Sequence, residues 1–339
     1  MTAAVPYDRV YGALIGQAVG DALGAPTEGM TREEITAKYG WVEDFLSDDP
    51  AGTDDTEYAV LTARTVLKHG HKLTPADVTA AWRENLVEQE GGFYGGGFSE
   101  MTAINNIRAG LVAPRTGTDN HEMWSDGTAM RIAPVGVFCA GDPREAARLA
   151  AIDAQVSHAR DGIYCGQAVA AAVAAALVES SWEAVIAAGL GAVPPSSWSA
   201  RTIAMAVDVG RRAPDLRSAV DQLYEEISLF HYPWADVAPE ATALAFGVLA
   251  AARGDYVGAV LAGVNIGRDA DTIAAMAGGI AGALHGAEAV PERWRLRINR
   301  VRGHCIKAVA GTDLAELAVA LHQALLTKKA TERMCDDCQ

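Results

Sequence analysis

Two segments of this chain carry a small residue at every fourth position, and that pattern constrains the fold more than any other. YGALIGQAVGDALGAP places Gly12, Gly16, Gly20 and Gly24 four apart, and ADTIAAMAGGIAGALHG does the same with Ala270, Ala274, Gly278 and Gly282. Four residues is close to one helical turn, so each set forms a smooth stripe along one helix face. A glycine inside a helix costs about 1 kcal/mol relative to alanine. Close approach of another backbone offsets that cost. The two helices are therefore expected in the core, packed near each other.

Helical periodicity runs through the rest of the chain. Residues 8–24, 54–70, 75–90, 98–110, 142–154, 159–180, 199–213, 215–228, 239–252, 254–265, 270–285, 291–307 and 312–327 read as helix, and no run alternates as a strand would. Loops fall at GGFYGGG (91–97), APRTGTDN (113–120), VPPSSWS (193–199) and FHYPWADVAPE (230–240), none of them a clear linker. Half of the 339 residues are hydrophobic and only 6% aromatic, a mixture suited to closely packed helices. The expected fold is all-α: one compact multi-helix domain over residues 1–330 and a C-terminal tail at 331–339.

A net charge of −15 lacks the basic footprint of a nucleic-acid binder and attracts cations. Cys139, Cys165 and Cys305 read as small core residues. Cys335 and Cys338 form a CxxC that supplies only two of the usual four zinc ligands. Sparse cysteines fit a reducing cytosol, the N-terminus MTAAVPYDRV has no signal pattern, and the longest apolar run, about 168–178, is too short for a bilayer. These features predict a cytoplasmic protein without a membrane span, a monomer or small homo-oligomer.

The candidate chemistry lies at two helix starts. GTDDTE (52–57) sets Asp54 and Asp55 between Thr53 and Thr56, and GRDADT (267–272) sets Asp269, Asp271 and Thr272 at the head of the second striped helix. N-capping by Thr53 and a first-turn acid accounts for part of the first cluster, and capping likewise explains one acid of the second. If the clusters meet, four aspartates and two hydroxyls converge. Carboxylates that close raise each other's pKa, and hard divalent cations such as Mg²⁺, Mn²⁺ or Ca²⁺ relieve the repulsion. Four carboxylates balance two divalent ions. Asp21 reads as a buried or capping carboxylate. Glu28, between Pro26 and Gly29, reads either as a solvated loop acid or as a mobile metal contact. GGFYGGGF (91–98) reads as a lid, or as a source of backbone N–H groups for an anion at the next helix start.

Together these motifs resemble the ADP-ribosylglycohydrolase family. The matching stretches are GALIGQAVGDALGAPTEG, GTDDTE, SDGTAMRIAPVG, VSHARDGIYCG and GRDADTIAAMAGGIAGALHG. The resemblance implies an all-α fold, a centre of two divalent cations (Mg²⁺, with Mn²⁺ as the alternative) and hydrolysis at the anomeric carbon of a ribose. Carried over by motif, Thr53, Asp54, Asp55, Asp269, Asp271 and Thr272 are the metal ligands. Glu28 matches the family's mobile acid, and either it or Asp269 is the catalytic base. His158 matches a histidine lining the ribose site, with a satisfied core histidine as the alternative. Gly127, Met130 and Arg131 match the end of a substrate motif that usually reads Gly-Asn-Gly-x-x-Met-Arg; for Arg131 the alternative is an ion-pair residue. Asp126 replaces the usual asparagine and Ser125 the glycine before it. TDNHEMW, just upstream, lacks the small residues that commonly cradle the diphosphate of ADP-ribose. The expected partner is an ADP-ribosylated substrate or, as the rival, a small riboside without ADP. A silent scaffold is the third reading.

Overall fold

The computed structural model describes residues 5–93 and 95–336, with side chains through residue 327. Among these residues the protein is helical throughout, with no strand; its β-bridges are isolated and join Ser125 to Val237 and Arg300 to Asp313. The Cys335–Cys338 pair lies outside the residues whose side chains are described. The last helix runs from Leu314 to Asp336, and no described helix is long and apolar enough to cross a membrane.

Six helices build and support the site: α1 (Tyr7–Gly24), α2 (Asp54–His69), α3 (Phe98–Arg108), α4 (Gly127–Arg131), α5 (Ala238–Ala251) and α6 (Ala270–His285). Helices α1 and α6 are the two striped segments, and they run antiparallel with their stripes in direct contact. A Cβ added to Gly12 would lie 2.3 Å from the Gly282 carbonyl oxygen, one on Gly16 2.5 Å from that of Gly278, and one on Gly20 2.2 Å from that of Ala274. Gly24 completes the register, with Asp271 Cα 2.4 Å from the position of its missing Cβ. The stripe thus has a positional consequence. It brings the start of α6, with its aspartates, against the end of α1, with Asp21.

A side chain added to this seam must push two backbones apart. Gly282→Ala puts a Cβ 2.1 Å from the Gly12 carbonyl oxygen. Overpacking of this kind costs about 1–3 kcal/mol or more, which exceeds the roughly 1 kcal/mol gained by replacing helical glycine. Gly191→Ala is the control, since nothing lies within 4 Å of its Cβ position. Urea midpoints should fall for Gly282→Ala and hold or rise for Gly191→Ala; equal stability of the two variants would refute the seam.

Several predicted elements differ from those observed. The segment 291–307 is helical only over Glu292–Ile298. Beyond it, the backbone N–H groups of His304, Cys305 and Ile306 all donate to the buried Glu57 carboxylate, at 2.6–2.8 Å. Those N–H groups are therefore not available to a helix. The segment 75–90 is α-helical to Trp82 and then passes into a π turn over Arg83–Val87. Helices at Arg32–Tyr39 and Trp182–Gly191 add to those expected; Thr31 and Glu34 form a capping box that marks the first.

Candidate active site

Capping proves to be the wrong account of both acidic clusters. Thr53 precedes α2 and Asp269 precedes α6, yet neither side chain accepts a bond from its own helix. Thr53 instead donates its backbone N–H and its hydroxyl to Asp21, at 2.9 and 2.8 Å. Thr56 does the same through its N–H, at 3.1 Å, and its hydroxyl. Asp21 is therefore a fully buried hub that holds the head of α2 against α1. Burial pushes its pKa up to about 6 in spite of these bonds.

Around that hub the two predicted poles meet. Carboxylate oxygens of Asp21, Asp55 and Asp271 lie within 4.8 Å of one another, and so do those of Glu28, Asp269 and Asp271. The triads share Asp271. Thr272 directs its hydroxyl to Asp55 at 3.4 Å. Asp54 faces the same cavity outside both triads, and Thr53 is turned to Asp21. Asp55, Asp269 and Asp271 are buried, and burial with the neighbouring carboxylates drives their pKa values well above the usual range. Asp54 is pushed to about 7 by burial, Asp21 and Glu100. Asp55 Oδ1 and Asp271 Oδ1 are buried without a hydrogen-bond partner. Orphaned carboxylate oxygens in an all-oxygen set fit hard divalent cations.

The cavity beside the triads has a volume of about 620 Å³. Its lining includes the predicted Asp126, Gly127 and Met130, and also Glu100 and Asp236, which sequence reasoning missed. Gly127 is needed as glycine because a Cβ there would lie 1.9 Å from Glu100 Oε1. Arg131 and His158 do not line the cavity. Arg131 is fully buried one layer back, bonding Asp153 at 2.9 Å, Glu100 at 3.4 Å and the Gly127 carbonyl at 2.8 Å. His158 accepts or donates to Ser125 at 3.0 Å, Thr128 at 2.9 Å and Ser157 at 2.7 Å, and burial together with Arg131 keeps its pKa well below the usual histidine value. Their alternative readings, ion pair and satisfied core histidine, describe these contacts.

Arg268 joins three parts of the site. It holds a left-handed backbone, φ 59°, rare for a long side chain. Its backbone exchanges bonds with the Gly29–Met30 loop beside Glu28, at 2.8 and 3.0 Å. Its guanidinium binds Glu240 of α5 at 2.5 and 3.2 Å and the Trp234 carbonyl at 3.2 Å. It thereby ties the loop 229–236 and the Glu28 loop to the start of α6.

All-α hydrolases with a carboxylate-lined cavity are the class to which this fold and site correspond. Within that class, the chain belongs to the ADP-ribosylglycohydrolase family, whose model matches residues 2–331. An uncharacterised protein of Archaeoglobus fulgidus is 34% identical over 297 residues, 85% of this chain and 90% of its own length. The ADP-ribosylarginine hydrolase Tri1 of Pseudomonas putida is 26% identical, covering 85% of this chain and 73% of the relative. The ADP-ribosyl-[dinitrogen reductase] glycohydrolase of Rhodospirillum rubrum is 25% identical, covering 92% and 100%. A solved ADP-ribosylglycohydrolase-related protein complex shares the fold, with a TM-score of 0.64 at 24% identity over 94% of this chain and 98% of its own. The protein is accordingly a hydrolase.

Proposed function

We propose that this protein hydrolyses the bond between the anomeric carbon of a ribose and its leaving group, using two divalent cations, Mg²⁺ in preference to Mn²⁺. The supporting observation is the pair of triads sharing Asp271, with orphaned oxygens on Asp55 and Asp271. Asp21, Asp55 and Asp271 would hold one cation and Glu28, Asp269 and Asp271 the other, with Asp54, Thr53 and Thr272 completing or orienting the set. Cations bound there supply Lewis acidity toward sugar oxygens and neutralise the carboxylates.

The chain's own groups do the remaining work. Cleavage of a glycoside passes through an oxocarbenium-like transition state, and the acidic cavity stabilises that positive charge. Asp269 or Glu28 accepts the proton of the attacking water. Gly127 and Met130 form the floor against the sugar, while Arg131 and His158 fix Glu100 and Ser125 from behind. The named relatives favour an ADP-ribosylated substrate; Asp126 in the cavity lining favours a riboside without ADP.

The test incubates the protein with Mg²⁺ and a panel of ADP-ribosylated arginine, ADP-ribosylated serine and simple ribosides, following free ADP-ribose or ribose. Release that needs Mg²⁺ and stops in EDTA is expected from at least one compound. Metal-independent release would refute the two-cation centre, and release from none of the compounds would refute the ribosyl reading.

A further inference from the structure

We propose that Asp236 is the acid of this hydrolysis, giving a proton to the leaving group from the cavity wall, with Glu122 behind it as a positioning residue. This rests on the ribosyl reading above and adds the half of its proton transfer that the cation triads do not supply.

Breaking a glycosidic bond takes two proton transfers, one from the attacking water and one to the departing group. Carboxylates that hold cations must be ionised, so the triads have no proton to give. The donor must be a lining carboxyl outside the cation set, to which Asp54 also belongs. Glu100 accepts from Arg131 at 3.4 Å and from the Ser99 hydroxyl at 2.6 Å. Asp126 bonds to Asp269. Asp236 remains. It lines the cavity and belongs to neither triad. Arg268 is the one cationic side chain among the described lining residues, and Glu240 already holds its guanidinium.

The surroundings of Asp236 keep a proton on it. Its Oδ1 is buried without a hydrogen-bond partner, and so is Glu122 Oε2. Neighbouring carboxyls disfavour each other's ionisation. Burial and then Glu122 push the Asp236 pKa up to about 6, Glu100 of α3 acts in the same direction, and Arg268 at the head of α6 acts against it. Glu122 is itself raised by burial; it meets the Tyr232 hydroxyl at 3.5 Å and the exposed His121 at 3.9 Å. Backbone bonds fix the donor's place. The Asp126 N–H donates to the Asp236 carbonyl at 3.0 Å, next to the Ser125–Val237 bridge. In the reaction, the Asp236 carboxyl passes its proton to the leaving oxygen or nitrogen as the bond to C1 breaks. The hydroxyl of the water forms the new bond to C1, and its other proton goes to Asp269 or Glu28 and returns to Asp236 through solvent. One water is consumed, and nothing is oxidised or reduced.

The test uses the Mg²⁺-loaded full chain and two glycosides of one sugar: the panel compound that the wild type hydrolyses, and its 4-nitrophenyl counterpart. A serine alkoxide or an arginine guanidine is a far stronger base than nitrophenolate, which departs without a proton. Asp236→Asn should lower kcat on the panel compound by at least about a hundredfold, as loss of a general acid does, and on the nitrophenyl glycoside by less than about tenfold. Wild-type kcat on the panel compound should fall as pH rises through the deprotonation of Asp236. That alkaline limb should move to lower pH in Glu122→Gln and vanish in Asp236→Asn. A second measurement needs no substrate: carbon-13 NMR of the Mg²⁺-loaded protein should show a carboxyl, absent from Asp236→Asn, that titrates well above the usual aspartate range. Equal losses on the two glycosides, an alkaline limb that neither variant moves, or ordinary titration of that carboxyl would overturn the proposal. Hydrolysis of neither glycoside by the wild type would sink the ribosyl reading, and the NMR titration would still decide whether Asp236 holds a proton.

Discussion

Asp271→Asn should abolish Mg²⁺-dependent hydrolysis, lowering kcat/KM by at least about a hundredfold, while the helical circular-dichroism spectrum stays unchanged. Asp271 is the one carboxylate common to both triads, so its loss affects both cation positions at once. Loss of a group that only hydrogen-bonds to a metal ligand already costs about 10–100-fold, and a direct ligand should cost no less. Stability should move the opposite way in the metal-free protein. Asp271 is buried, its Oδ1 has no partner, and burial, Asp269 and Glu28 all push its pKa up. An amide of the same shape removes that repulsion, so the metal-free variant should melt at or above the wild-type temperature. Asp54→Asn makes a useful companion. It lies outside both triads, so a smaller loss is expected from it. Wild-type turnover by Asp271→Asn would refute the shared-ligand arrangement.

How much of this arrangement could be read in advance depended on whether a residue's role was written in its own segment. The four-residue stripes belong to single helices, and the seam between Gly12 and Gly282 or Gly20 and Ala274 is their direct consequence. The poles Asp54–Asp55 and Asp269–Asp271 stand out because adjacent acids at a helix start exceed what capping needs, and the seam brings them together. Asp21 shows only as a buried acid, because its partners Thr53 and Thr56 are 32 and 35 residues away. Glu100 and Asp236 carry even less signal. Each is an ordinary loop-side or first-turn acid until α3 and the loop 229–236 fold over the cavity. Gly127 gives a trace of Glu100, since only a glycine admits that carboxylate so closely. The segment 299–307 misleads for a related reason: it reads as helix until Glu57, far away in α2, claims its N–H groups.

The second large effect is a pH dependence that divalent cations should reverse. In the metal-free protein the folded-state pKa values of Asp21 and Asp54 are raised to about 6 and about 7, against an ordinary 3.8, and burial with the neighbouring carboxylates moves Asp55, Asp269 and Asp271 well up in the same direction. A carboxyl whose pKa is higher folded than unfolded binds more protons in the native state between those two values. Stability therefore falls as pH rises through that window. From pH 4.5 to 7.5 the metal-free melting temperature should drop, with a loss on the order of a few kcal/mol, since each tenfold change in proton affinity corresponds to about 1.4 kcal/mol. Millimolar Mg²⁺ binds the ionised carboxylates of the native state and stabilises it by mass action. Its increment should be small at pH 4.5, where protons compete for the same oxygens, and large at pH 7.5. Thermal scans across this range, in EDTA and in Mg²⁺, should diverge as pH rises. Asp271→Asn should narrow the divergence, because it removes one of the ionisable groups that both proton and metal use. Parallel curves in EDTA and Mg²⁺ would mean that these carboxylates hold no cation.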